Sequence, residues 1–321
     1  MKNYALGIDI GGTKLAFGAV ELSTGRILAS RRVPTPAEGD GYDLCALLAR
    51  ECFALLEQAD LSADDVLGVG VGAPSWVDPK AGRVIFSPNL VALRDFPLKD
   101  ALGALLPFSV IVDNDANVAA LAEHRLGAGM GHDFMLYSTA STGVGGGLIL
   151  GGKLYRGANG CAGEIGHMLA TPGQGVTCGC GLVGDYESYC GGSHIHQHVK
   201  LRLARGESTV MTELAGSADA IDGKILARAY AMGDSMAQEI VAQTANYLGI
   251  LYFNLYQALN LDCFVIGGGL TALGDPLMDG IRASFESLHA LCPLKLPVHI
   301  KKAQLAQDEY GIIGAALLLC E

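Results

Sequence analysis

His167, Cys178, Cys180 and Asp185 fall within one Gly-rich stretch, residues 163–187, which reads GEIGHMLATPGQGVTCGCGLVGDYE. An imidazole, two thiols and a carboxylate are a donor set for tetrahedral zinc (Zn2+). The Cys-x-Cys pair follows the His by eleven residues, a compact cluster of the zinc-binding kind. The plain alternative is a polar surface loop that carries two thiols. Gly-rich loops are mobile unless something holds them, and a metal would hold this one. Glu164 and Glu187 bracket the cluster. A metal would keep both acids near one point, like the walls of a polyol pocket.

Three further turns have the chemistry to face phosphate. The first is Asp9-Ile10-Gly11-Gly12-Thr13-Lys14. Glycines let backbone N–H groups approach an anion, and the Thr hydroxyl adds a donor. Asp9 sits in an apolar run, where an unpaired carboxylate is costly; magnesium (Mg2+) or its water shell would compensate it. The second turn, Ser141-Thr142-Gly143 leading into Val144-Gly145-Gly146-Gly147, repeats this chemistry. The third, Gly267-Gly268-Gly269, follows an apolar strand and could let a flat adenine lie on the backbone. Singly, each reads as an ordinary hairpin or a tight packing turn. Together they favour a bound nucleotide. No G-x-x-x-x-G-K-[ST] loop is present, and Gly68-Val69-Gly70-Val71-Gly72 lies inside a strand pattern that opens no helix.

Asp113-Asn114-Asp115 closes one apolar run and opens a helical one. Asn114 or Asp115 can serve as the helix N-cap. Asp115 can equally act as a general base, because a helix N-terminus keeps a carboxylate ionised. Glu164 is the less favoured base.

The elements that must carry these residues read as a repeated α/β plan. Residues 4–10 and 15–20 form a predicted hairpin, with a third strand near 27–33. Helical spacing of Leu44, Leu47, Leu48, Leu55 and Leu56 predicts a helix over 43–58. A buried strand follows at 66–72, a loop-rich segment at 73–98, a strand at 109–112 and a helix at 116–126. The plan then restarts: strand 134–139, a Gly/Thr turn, strand 144–150. This weak internal repeat implies two related halves. Helices are predicted over 193–205 and 223–260, a strand at 263–266 followed by a helix, a last strand at 298–301 and an apolar helix at 309–320.

The chain has 321 residues and a net charge of -11. That length suits two domains, and the acidity argues against a nucleic-acid partner. Half the residues are hydrophobic and 17% are charged, which supports large cores and a homodimer interface. Nine cysteines without a framework spacing fit a reducing compartment. The opening MKNYALGIDIGGTK has no apolar signal core, and Leu248–Leu270 is broken by Asn254, Gln257, Asn260 and Asp262, so no membrane span is expected. The expectation is a cytoplasmic protein.

The motifs together resemble the ROK family of sugar kinases and sugar-responsive repressors, within the actin/hexokinase/Hsp70 ATPase superfamily. The matching pieces are DIGGTK (9–14), GVGVGAP (68–74), SPNL (87–90), NDAN (114–117), STGVGGG (141–147), GANGCAGEIGHM (157–168), CGCGLVG (178–184), GGG (267–269) and GIIGAALL (311–318). They run in order over nearly the whole chain. The resemblance implies two related actin-like/ribonuclease H-like α/β domains around a central cleft. The first is 1–118, completed by the C-terminal helix 305–321; the second is 119–304, with the zinc loop and the sugar-binding acids. It implies transfer of the γ-phosphoryl of ATP to a hexose, usually at the 6-hydroxyl, with closure of the domains on substrate. By motif position Asp115 is the base, and Asn89, Asn114, Glu164, His167 and Glu187 bind sugar hydroxyls. Gly11, Gly12, Thr13, Lys14, Thr142 and Gly143 hold phosphates, Gly268 lies near adenosine and Asp9 near magnesium. His167 serves twice, one ring nitrogen on zinc and the other toward the sugar.

Three departures stand out. Asp185 replaces the usual third zinc cysteine, Cys190 and Cys161 being alternative thiols. Ser75 replaces a Gly, and Leu93 stands where a Trp is common. Glucose is the first expectation for the substrate; fructose, mannose or an N-acetylhexosamine such as N-acetylmannosamine are alternatives. A sugar-sensing repressor is the rival class, disfavoured because its DNA-binding domain would precede a turn that here starts at residue 9.

Overall fold

The computed structural model describes residues 2–74, 76–87, 90–306 and 309–321. In chain order β1 (Tyr4–Ile10), β2 (Lys14–Glu21) and β3 (Ile27–Pro34) form an antiparallel meander, and α1 (Gly41–Gln58) follows. Next come β4 (Val66–Ala73), a small hairpin of β5 (Trp76–Asp78) and β6 (Arg83–Phe86), α2 (Leu98–Gly103), β7 (Ser109–Asn114) and α3 (Asp115–Leu126). The chain continues through β8 (Phe134–Ala140), β9 (Val144–Leu150), β10 (Lys153–Tyr155), α4 (Tyr186–Cys190), α5 (Ile195–Leu203) and α6 (Met211–Ala215). It ends with α7 (Gly223–Ala231), α8 (Ser235–Leu259), β11 (Cys263–Gly267), α9 (Asp275–His289), β12 (His299–Lys302) and α10 (Tyr310–Leu317).

Two five-stranded sheets result, ordered β3-β2-β1-β4-β7 and β10-β9-β8-β11-β12. The repeated strand-turn-strand plan is thus present in both. The segment 73–98, expected to be loop, contains the β5–β6 hairpin; its alternation is too short to register as strand. The single helix expected over 223–260 is two helices. Gly233, with φ 81°, breaks it, and Asp234 caps α8 by accepting from the Ala237 N–H at 2.8 Å.

The chain divides into two compact units, residues 1–133 with 147–163 and 304–321, and residues 134–146 with 164–303. The first unit therefore includes 119–133 and 147–163, which the sequence division placed in the second domain. In the first unit, Leu6, Ile8, Phe17, Val69, Val71 and Val112 of the sheet pack with Leu48 and Leu55 of α1. On the opposite face Ala5, Ala16 and Val20 meet Ile312 and Ala316 of α10. That face needs glycine: a Cβ on Gly7 or Gly70 would overlap the backbone carbonyls of Ile312 and Ala315. The Gly68–Gly72 run is thus a platform for a closely packed helix. Burial on both faces explains why these strands read as continuous apolar runs.

Glu123 on α3 is fully buried. Its carboxylate accepts the N–H groups of Ala128 (2.8 Å), Gln304 (3.0 Å) and Leu305 (2.8 Å). It thereby ties the end of α3 to the segment that leads into α10. In the second unit Tyr252 of α8 stacks on Phe264 of β11 at 5.3 Å and donates to Ser138 of β8 at 3.0 Å. Among the described residues no helix is long and apolar enough to cross a membrane.

Candidate active site

In the first unit the parallel strands β1, β4 and β7 end level: Asp9 pairs with Gly72, and Gly72 with Asp113. Carboxyl ends of parallel strands are where α/β sheets collect their ligands. The turn after Asp9 is closed by the Gly11 N–H donating to the Lys14 carbonyl at 2.9 Å. Thr35 clamps it from β3's end, through Oγ1 to the Gly11 carbonyl (2.7 Å) and through its N–H to the Thr13 carbonyl (3.1 Å). Gly12, Thr13 and Lys14 stay exposed. Burial pushes the Asp9 carboxyl up, and the Lys14 charge opposes this only in part. A carboxylate so placed fits a divalent cation as partner.

At the end of β7, Asn114 is the N-cap of α3, its Oδ1 accepting from Ala116 N (2.8 Å) and Asn117 N (3.3 Å). Asp115 is the first helical residue, half-buried, with Oδ1 accepting from Ala116 N at 2.9 Å. The cap is therefore Asn114, and Asp115 lies in the first turn of α3. Behind it Asp113 is buried and held by Arg156 Nε at 2.6 Å and Asn117 Nδ2 at 2.8 Å. Sequence reasoning missed this network. Its one signal was a lone Arg at the end of an apolar run, in KLYRGANG. Asn89 lies outside the described residues.

In the second unit the metal-ligand candidates come together. One donor atom from each of His167, Cys178, Cys180 and Asp185 lies within 4.8 Å of all the others. His167 Nδ1 is 3.1 Å from Asp185 Oδ2 and 3.7 Å from Cys178 Sγ, and Cys180 Sγ is 3.6 Å from Asp185 Oδ2. Zinc bonds of about 2.0–2.3 Å in a tetrahedron set neighbouring ligands roughly 3.3–3.8 Å apart; these three separations are close to that spacing, and the full set would need to contract from its 4.8 Å spread around an ion. Cys190 Sγ instead faces the Thr244 carbonyl and Cys161 Sγ the Asn159 carbonyl; neither belongs to the cluster. Asp185 is fully buried. Burial alone would raise its carboxyl, but hydrogen bonds from His167, Cys178 and Ser188 hold it below the usual range.

The loop carrying these donors is closed at its ends. Tyr186 N donates to the Met168 carbonyl at 3.0 Å, and Ala170 N and Thr171 N both donate to Gly184 O at 2.9 Å. Tyr189, stacked on Tyr247 with centroids 4.1 Å apart, meets Thr171 Oγ1 at 2.6 Å. These tyrosines also escaped the sequence reading. His167 ends a short 3-10 turn, Ile165–His167, with Nε2 3.9 Å from Glu164 Oε2. Nδ1 thus faces the donor cluster and Nε2 faces Glu164.

Glu187 Oε2 accepts the Val144 N–H at 2.8 Å, and Oε1 lies 3.4 Å from Cys178 Sγ. Thr142 is exposed at the turn between β8 and β9. Gly268, at φ 89°, lies against Ala140, where a Cβ would overlap the backbone. The strand ends agree, since Gly267 pairs with Thr139. Tertiary structure therefore places the Gly268 turn beside the Ser141–Gly143 turn.

Residues 5–321 match the ROK family. The chain belongs to the ROK family. Among ROK relatives the glucokinase of Streptomyces coelicolor is 34% identical over 319 residues, 98% of this chain and 97% of that protein. The N-acetylmannosamine kinase of Escherichia fergusonii is 35% identical over 316 residues, again 98% and 97%. The ROK family glucokinase of Streptomyces griseus, solved with glucose and AMPPNP, superposes with a TM-score of 0.79 at 35% identity and covers 98% of both chains. The fold is the actin-like ATPase fold of ROK sugar kinases.

Proposed function

We propose that this ROK protein is an ATP-dependent hexokinase that phosphorylates a hexose hydroxyl, glucose first. The observation that carries the reading is near full-length similarity to glucokinases combined with Asp115 at the first turn of α3. Asp115 would take the proton of the sugar hydroxyl as its oxygen attacks the γ-phosphorus. The bond from that phosphorus to the β,γ-bridging oxygen breaks and ADP leaves. The Gly11–Lys14 turn and the Thr142–Gly143 turn would hold phosphates through backbone N–H groups and the Thr13 and Thr142 hydroxyls. Gly268 would border the adenosine. Asn89, Asn114, Glu164, His167 and Glu187 would bind the sugar. Asp9 would hold magnesium, directly or through water, and the ion would neutralise phosphate charge when bound.

In the same reading His167, Cys178, Cys180 and Asp185 bind one structural zinc, which fixes the loop that aims His167 and Glu164. His167 supports this double duty, because its two ring nitrogens face different partners. The protein would work in the cytoplasm as a homodimer on small molecules, without a nucleic-acid or membrane partner.

A second reading has its own support. Similarity to N-acetylmannosamine kinases is as high, 35%, so an N-acetylhexosamine is the alternative acceptor. An ATP-coupled assay over glucose, fructose, mannose, N-acetylglucosamine and N-acetylmannosamine separates the two. The highest kcat/KM should fall on glucose. A clear preference for N-acetylmannosamine would select the second reading, and no sugar-dependent ADP formation would defeat both.

A further inference from the structure

The metal loop and the turn assigned to phosphate are mechanically one piece, and α4 joins them. Asp185, a candidate ligand, is the N-cap of this short helix and accepts the Ser188 N–H at 2.9 Å. Glu187, one turn position on, accepts the Val144 N–H at 2.8 Å, directly after the Thr142–Gly143 turn. The helix then delivers Gly192 N to the Ser141 carbonyl at 2.7 Å and Ser193 N to the Thr142 carbonyl at 2.9 Å. Ser193 Oγ adds a bond to the same Thr142 carbonyl at 2.8 Å. Both sides of this joint are closely packed at glycines. A Cβ on Gly143 would overlap the Glu187 carboxylate, and a Cβ on Gly166, beside His167, would overlap the Val144 carbonyl. Val144 is thus held on its N–H by α4, and the His167 turn packs close against its carbonyl.

We propose that Glu187 is a positioning residue for the nucleotide. Its carboxylate transmits order from the metal cluster to the Ser141–Val144 turn, so that metal binding tightens nucleotide binding in the absence of sugar. This goes beyond the role in sugar binding that the kinase reading gives to Glu187 and rests on that reading's phosphate turn. The physical reason is rigidity. An exposed Gly-rich turn binds phosphate well only if its N–H groups are already aimed, and here the aim is set by one carboxylate and three bonds to two carbonyls. The stability that a charge-assisted hydrogen bond of this kind contributes sets an upper limit on its effect on nucleotide affinity, on the order of tenfold.

The test is calorimetric titration of the full-length protein with magnesium ADP and no sugar. Wild type, Glu187→Ala and Glu187→Gln are compared, each zinc-loaded and after chelation and dialysis. Glu187→Ala should weaken ADP about tenfold, whereas Glu187→Gln, which keeps an acceptor for the Val144 N–H, should stay within about threefold of wild type. Zinc removal should weaken ADP severalfold in wild type and add nothing in Glu187→Ala, the non-additivity expected of one coupled path. Should Glu187→Ala not fold, hydrogen exchange at the Val144 amide of wild type decides: it should speed up when zinc is removed. Unchanged ADP affinity in Glu187→Ala, or unchanged Val144 exchange on zinc removal, overturns the inference and leaves the kinase reading standing. Wild-type protein that binds no ADP overturns both.

Discussion

Arg156 Nε lies 2.6 Å from Asp113 Oδ2, joining the strand end that leads into Asp115 to the chain just after β10. Asp113 is buried and Arg156 about one quarter exposed. Breaking a fully buried pair costs about 3–5 kcal/mol; with Arg156 partly in water, about 2 kcal/mol is expected. Arg156→Gln should therefore unfold at lower denaturant by roughly that amount, and Arg156→Lys should recover part of it. Equal stability of Arg156→Gln and wild type in urea would show the pair to be dispensable.

Asp115→Asn should keep hexose affinity and lose roughly two or more decades of turnover, the scale for removing a general base. Calorimetry with sugar and a coupled assay for ADP read the two quantities separately. Near-normal turnover would remove Asp115 from that role.

Elemental analysis should find one zinc per chain. Asp185 supplies a hard oxygen where relatives place a soft thiol, so Asp185→Cys should keep zinc through harsher chelation. Cys178→Ser should lose zinc and sugar affinity together. Metal-free protein with full sugar affinity would leave the loop held by Tyr189 and its backbone bonds alone.

Glu123→Ala should remove the acceptor shared by the N–H groups of Ala128, Gln304 and Leu305. A buried unsatisfied group costs about 1–3 kcal/mol; because these amides sit on partly exposed segments that water can reach, a total loss of about 1–3 kcal/mol is expected. Hydrogen exchange should rise first at those three amides. Uniform acceleration across the first unit instead would argue for a general core defect.

Acid should weaken the first unit partly through Glu51. Burial alone would raise this carboxyl, but Arg31 at 2.9 Å and Arg50 at 3.2 Å hold it below the ordinary value. A carboxyl with a depressed folded pKa contributes stability above the unfolded value of about 4.3 and loses it as pH falls through the folded one. Glu51→Gln should therefore be less stable than wild type near neutrality and show a flatter loss of stability below about pH 4.3. Parallel stability–pH curves for the two proteins would exclude this contribution.

Much of the architecture was legible because its signals are local. The hairpin at 4–20, the restart at 134–150 and α1 follow from apolar periodicity and Gly turns within short windows. The four metal-ligand candidates were legible too, since they lie within one stretch and their types are unusual together. The β5–β6 hairpin and the break before α8 were not, because three or four residues of alternation and a lone Gly resemble loop and helix equally.

What only the tertiary structure decided is which polar groups meet across distance. Arg156 and Asp113 are 43 positions apart, as are Val144 and Glu187, and Glu123 and Leu305 are 182 apart. Residue type announces that a buried carboxylate needs donors. It does not say which ones, because they are backbone N–H groups or a side chain brought in by the packing of other elements. The glycines make the same point. Gly70 and Gly143 read as turn or strand glycines in sequence, yet Gly70 is required by the Ala315 carbonyl, and Gly143 leaves the Glu187 carboxylate the space it occupies. Local sequence determined the kinds of chemistry available, and packing determined how those groups are joined.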